Sequence, residues 1–230
     1  MHRAQAATAP SRLFKCHTTQ GGILVPAIVK FPGTQTSYKP GSINRSFSTC
    51  MDIAPTLLEL AGIAHPAKDV KHPLDKAPYR DTMVYPMRGK SLVPYFVDGK
   101  ALPVINGEAQ EGHGDRYAVH PSDEITGWEL FGQAARTCPI FAPETAMLTF
   151  HAVRRGRFKL VHEPKQWGGN AEGDEGWQLY DLVADPAERD DLSDKLPDVK
   201  AEMVKHWDEY VKWSGTGALL LLALLAGVTY

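Results

Sequence analysis

Cysteine is scarce in this chain of 230 residues: Cys16, Cys50 and Cys138 are its only three. They stand far apart, with neither the spacing of zinc ligands nor the density of a disulfide-stapled scaffold. Net charge is nearly absent as well. Twenty-five basic residues against twenty-seven acidic ones leave a formal charge of −2, so the chain has no general electrostatic attraction to nucleic acid or to an acidic membrane surface. The run Ala218 to Val228 has eleven apolar-rich residues, whereas a bilayer-spanning helix needs roughly 20. It is expected to be an apolar tail over 214–230, not an anchor. The start of the chain has basic residues but no apolar core behind them, so it does not have the pattern of a signal peptide. What is present is ordinary globular material, 43% hydrophobic and 23% charged, long enough for one or two domains with a real core.

Periodicity divides the chain. Ile23 to Phe31 is an almost continuous apolar run between a Gly pair and Pro32-Gly33, the pattern of a strand buried on both sheet faces. Pro26 places that strand at an edge or a bulge. Asp52 is a candidate N-cap for a helix whose Ile53, Leu57, Leu60 and Ala61 share one face and whose stop is Gly62. Residues 63 to 104, rich in Pro, Lys and Asp, have the composition of a surface connection. A boundary is expected near residue 100. Beyond it, Leu102 to Asn106, Arg116 to His120, Trp128 to Phe131 and Arg157 to Val161 suit short antiparallel strands. Asp185, Pro186 and Glu188 have the spacing of a capped turn. From Asp198 on, Val199, Met203, Trp207, Tyr210 and Val211 repeat at helical spacing and should pack on that small sheet.

The most informative stretch is Lys15 to Ala27, in which a cation sits six residues before the Gly21-Gly22 turn that opens the apolar run. Such an arrangement can hold an anion at a sheet edge. Most lysines are merely solvated surface charges, and the Gly-Gly turn is what sets Lys15 apart.

That stretch resembles the K-x-x-x-x-(E/Q)-G-G-(I/V)-x-(V/E)-P-A segment of the sulfatases, sulfuric ester hydrolases of the alkaline-phosphatase-like superfamily. Five further pieces follow in the order found in arylsulfatases: Met51 to Gly62, Met87 to Pro94, Gly127 to Gln133, Ala152 to Val161 and Leu179 to Leu192. Together they cover most of residues 4 to 213. The resemblance implies an α/β fold: residues 1–100 as the C-terminal end of an alkaline-phosphatase-like α/β domain plus a connection, then residues 101–213 as a small antiparallel sheet with a packed C-terminal helix. It implies that Lys15 binds the sulfate group, with His17 a neighbour that could line the same substrate-binding cleft. It also implies Ca2+ and a formylglycine nucleophile in the full-length relative, and a sulfate-ester small molecule as substrate.

Two family features are missing from these residues. The formylglycine motif C-x-P-x-R has no counterpart, because Gln20, Ala54 and Ala142 lie four positions after the three cysteines. The Asp-Asn pair of the calcium site should precede Lys15, and only fourteen residues do. The chain therefore reads as a C-terminal sulfatase portion, expected to be inactive alone and to bind no metal by itself. A phosphonate or phosphate diester hydrolase of the same superfamily, and a non-catalytic remnant or binding partner, are the other readings. Residues 135–151 separate two pieces that lie nearly end to end in arylsulfatases, as an insertion would. His113 between Glu111 and Asp115 reads as a structural loop. The basic run Arg154, Arg155, Arg157 and Lys159 reads as a half-exposed strand face. Asn44-Arg45-Ser46 is a glycosylation sequon.

Overall fold

A computed structural model describes residues 2–30, 47–96, 119–130, 150–163 and 176–215. His113, the Asn44 sequon, the segment 131–149, and the apolar tail from 216 onward lie outside the described residues. The chain divides into two compact units, Met1–Pro26 with Ile125–Tyr230, and Ala27–Glu124.

The first unit is built on a four-stranded antiparallel meander. Its strands, numbered in the order of the whole chain, are β3 (Ile125–Leu130), β4 (Phe150–Arg155), β5 (Phe158–His162) and β6 (Trp177–Asp181). β3 and β4 pair directly, Leu130 opposite Phe150 and Ile125 opposite Arg155, so the last two residues of the expected insertion 135–151, Phe150 and His151, belong to β4 instead. Gly156 takes φ 58° in the two-residue link between β4 and β5, where a side chain would strain the turn.

Side-chain alternation gives the sheet two faces, and both are covered. On one, Val153, Leu160 and Leu179 meet Met203, Trp207 and Tyr210 of helix α5 (Pro197–Ser214). This is the apolar stripe expected of the last helix. Pro197 begins the helix, Asp198 lies in its first turn, and Gly215 ends it in the left-handed conformation at φ 78°. On the opposite face lie Phe150, Ala152, Lys159, Val161, Gln178 and Tyr180, all buried. They are covered by the N-terminal segment: Arg12 reaches Gln178, and His17 sets its ring edge-on against Phe150 at 5.4 Å. Double coverage explains why β6 is buried along its whole length instead of alternating.

The N-terminal segment comprises α1 (His2–Thr8), an irregular loop, and the single-turn helix α2 (Gln20–Ile23). The expected strand over 23 to 31 is not present where the chain is described. Gly21 and Gly22 belong to α2, and residues 24 to 30 form no strand. Val25 is 81% and Ile28 97% exposed, so among the described residues nothing supplies the sheet neighbours that the apolar run was expected to have.

The second unit holds a 3-10 turn, Cys50–Asp52, leading into α3 (Ile53–Leu60), a hairpin of β1 (Ala77–Tyr79) and β2 (Thr82–Val84), and the short helix α4 (Val93–Phe96). α3 forms where expected, but its apolar residues face outward: Ile53, Leu57 and Leu60 are each about half exposed. Asp52 is not a simple cap for α3, since its side chain makes no cap bond there. It closes a capping box one turn earlier with Thr49.

The α5 packing depends on Gly127 in β3. A Cβ at this position would stand 2.5 Å from the Tyr210 ring, while the Tyr210 hydroxyl donates to Glu129 at 2.6 Å and so resists a shift of the ring. Gly127→Ala is expected to destabilise this unit by about 1–3 kcal/mol, read as a lowered urea midpoint.

Candidate functional site

Lys15 stands exposed in a turn whose backbone is contorted. Leu13 at φ 58° and Cys16 at φ 77° both adopt left-handed conformations, which are unfavourable for residues with side chains and persist only when the surroundings over-determine them. The surroundings do so at several points. Gly21 N–H donates to the Arg12 carbonyl at 2.9 Å, and the Thr19 hydroxyl donates to the same oxygen at 2.8 Å. This folds the loop back on itself so tightly that no side chain fits at the Gly pair. A Cβ on Gly21 would lie 2.1 Å from the Leu13 carbonyl oxygen, and one on Gly22 2.1 Å from that of His17. The Gly-Gly signature is therefore a close-approach requirement of this loop, not the opening of a strand.

Beneath the loop lie three fully buried charged residues. The Lys159 ammonium donates to the Thr18 carbonyl and to a Glu188 carboxylate oxygen, each at 2.7 Å. The other Glu188 oxygen accepts the Gln20 N–H at 2.7 Å. Glu163 accepts from the Thr18 N–H at 3.2 Å and from His17 Nδ1 at 2.8 Å. Burial pushes the Lys159 ammonium down to about 8, against the pull of Glu188. Arg12 adds a further layer: its guanidinium stacks over the Tyr180 ring at 5.0 Å and donates to Gln178 at 3.1 Å.

His17 is thus not poised in an open cleft. It is 4% exposed, wedged between the rings of Phe14 and Phe150, with Nδ1 committed to Glu163. Lys159, expected on a half-exposed face, is instead wholly inside, while Arg155 pairs with Glu202 and Arg157 with Asp181 at the surface. Glu188 is no helix cap either. Asp185 does close a turn, accepting the Arg189 and Asp190 N–H groups, but Glu188 sits at φ 55° and turns its carboxylate inward.

The second unit holds its own charged cluster, centred on fully buried Asp52. One carboxylate oxygen accepts the Lys90 N–H at 2.8 Å; the other accepts the Thr49 N–H at 2.6 Å and His120 Nε2 at 2.9 Å. His120 Nδ1 lies 3.0 Å from Glu124 Oε1, and the Lys90 ammonium pairs with the other Glu124 oxygen. Because both partners of the imidazole are acceptors, both ring nitrogens carry protons and the ring is cationic. Burial alone would lower the His120 pKa; hydrogen bonds and charge from Asp52 and Glu124 outweigh it and raise it. Burial would raise that of Asp52; the bonds from His120, Thr49 and Lys90 outweigh it and lower it. Gly89 permits the approach of the Lys90 N–H, since a Cβ there would fall 1.9 Å from the Met51 carbonyl oxygen.

Lys15 thus presents an exposed ammonium on a loop braced from beneath. Among the described residues no group of three or more His, Cys, Asp or Glu could hold a metal ion.

The braced Lys15 loop and the Asp52 cluster incorporate five of the six sequence pieces quoted above, Lys15 to Ala27, Met51 to Gly62, Met87 to Pro94, Ala152 to Val161 and Leu179 to Leu192, and comparison with known proteins agrees: the chain is a sulfatase homologue. The particular relative is an uncharacterized sulfatase of Schizosaccharomyces pombe, 36% identical over 212 residues, which are 92% of this chain. The chain spans 29% of the length of that relative. Among solved structures, a 2-O GAG sulfatase overlaps 70% of this chain and 24% of its own, with 24% identity and a TM-score of 0.37. Another, solved in complex with D-glucosamine-2-N,6-O-disulfate, overlaps 73% and 25%, with 20% identity and a TM-score of 0.36. Both overlaps are too partial to carry an argument. No protein-family model matches the chain.

The Asp52–His120 cluster should make the second unit pH-sensitive in both directions. Raising the His120 pKa gives stability that is complete below its ordinary value of 6.5 and is lost as pH rises through the raised folded value. Lowering that of Asp52 gives stability complete above its ordinary 3.8 and lost as pH falls through the lowered folded value. Protection of the α3 amides from hydrogen exchange, corrected for intrinsic rates, is therefore expected to be greatest between about 4 and 6.5. In His120→Gln the decline on the alkaline side should disappear.

Proposed function

We propose that this chain is the C-terminal portion of a sulfuric ester hydrolase of the arylsulfatase kind, with Lys15 as the cation that binds the sulfate group. The observation that carries the reading is the exposed lysine on a strained loop, held by buried charges in a segment homologous to a sulfatase. A lysine ammonium is a compact point charge that engages an oxyanion without demanding bidentate geometry. Fixing it in advance on a rigid loop lets it meet developing negative charge without reorganisation. In this reading residues 1–100 are the end of the catalytic α/β domain with its connection, and 101–213 the small C-terminal subdomain. The outward Ile53, Leu57 and Leu60 and the exposed run from Leu24 to Val29 fit a catalytic domain whose sheet is completed by further strands.

His17 takes a supporting place in the same reading, shaping the Lys15 loop from beneath. Formylglycine and Ca2+ would supply the nucleophile and the main counter-charge in a complete enzyme. One cation cannot replace them, so the chain by itself is proposed to be inactive toward sulfate esters, and active only in a full-length form. The substrate is a small sulfate ester.

Two measurements test this. The isolated chain should release no sulfate above background from an aryl sulfate; turnover by it would overturn the requirement for the remaining parts. In a full-length sulfatase carrying this loop, Lys15→Ala should lower kcat by about 100- to 1,000-fold, the scale for losing one donor to an oxyanion, while calcium binding is unchanged. Retention of full activity would remove Lys15 from the site.

A further inference from the structure

We propose that Lys159 is the positioning residue of the Lys15 loop, holding the loop backbone at Thr18 and, through Glu188, at Gln20. For the importance of Lys15 this rests on the function proposed above; the bracing itself does not.

Three observations converge. The Lys159 ammonium is wholly buried, and two acceptors, the Thr18 carbonyl and Glu188, lie at 2.7 Å from it. Glu188 passes the constraint on, because its second oxygen takes the Gln20 N–H at the start of α2. The loop between these anchors and Arg12 contains two left-handed residues on either side of Lys15, at positions 13 and 16, a conformation that the local sequence does not favour. A buried ion pair is weak evidence of stabilisation, because replacing both charges by apolar groups is often neutral. Here the pair contacts loop backbone on both sides, so its role is to fix geometry. The three anchors sit on β5 and in the segments after β5 and β6, so the sheet face opposite α5 serves as the template for the loop.

The experiment compares hydrogen exchange at the amides of Gly21, Gly22, Ile23 and Leu24, all hydrogen-bonded within the loop, with exchange along α5 and with the urea midpoint. Lys159→Met or Glu188→Gln alone leaves one charge buried without its partner and should lower the midpoint. The paired variant K159M/E188Q should recover most of that loss, yet leave the four loop amides about tenfold less protected than in the wild type, with α5 unchanged. Wild-type loop protection in the paired variant would overturn the proposal, as would an equal loss in α5, which marks global weakening. Should every Lys159 variant fail to fold, Gln20→Pro keeps the ion pair and deletes the N–H that Glu188 accepts, at a helix position where Pro fits, with Gln20→Ala as the control for loss of the side chain. It should loosen the same amides, and unchanged protection there would equally overturn the proposal. Lys15→Ala is expected to leave exchange as in the wild type, so failure of the bracing and failure of the anion-binding role are scored separately.

Discussion

Everything distinctive in the first unit depends on keeping three charges out of water beneath a loop. Lys159, Glu163 and Glu188 are each fully enclosed, and an enclosed charge is tolerated only when its hydrogen-bonding capacity is met. Each of the three has a main-chain partner in Thr18 or Gln20. Loop and sheet therefore satisfy one another. The loop cannot lift away without stranding the charges, and the charges could not be buried without the loop. This reciprocity is how a strained turn with an exposed lysine becomes part of a rigid body.

The second unit repeats the principle with different residues. Asp52 gathers two backbone N–H groups and a cationic imidazole, which ties the start of α3 to the segments around Lys90 and His120. In both units the apolar contribution is incomplete: α3 turns its apolar row outward, and the run after α2 is exposed. Polar hubs hold these segments where hydrophobic burial does not. The chain spans 29% of the length of the sulfatase relative it matches.

How much of this could be read from the sequence depends on whether the pattern is local. The α5 stripe of Met203, Trp207 and Tyr210 was legible because helical spacing and core burial coincide there, in a helix read from Asp198. The need for glycine at 21 and 22 was legible, although its physical reason, carbonyl oxygens 2.1 Å from where a Cβ would stand, was not. Lys159 was hidden in a basic run whose other members do reach the surface, and Glu188 behind a turn signature that only Asp185 fulfils. His120 gave no signal because its partners, Asp52 and Glu124, become a cluster only once the chain folds back. The apolar run from Ile23 was misread as a strand for the converse reason: composition favours a buried strand, but the neighbours that would bury it are not among these residues.

The anchors of the Lys15 loop lie far from it along the chain: Lys159 is 141 residues beyond Thr18, Glu163 is 145, and Glu188 is 168 residues beyond Gln20. During synthesis the loop leaves the ribosome long before its supports exist. Non-local contacts of this kind form late, after the entropy of closing a long segment has been met. The segment with the clearest signature in the sequence is thus among the last to acquire its shape, and any translational pause before β5 leaves it emerged but unsupported.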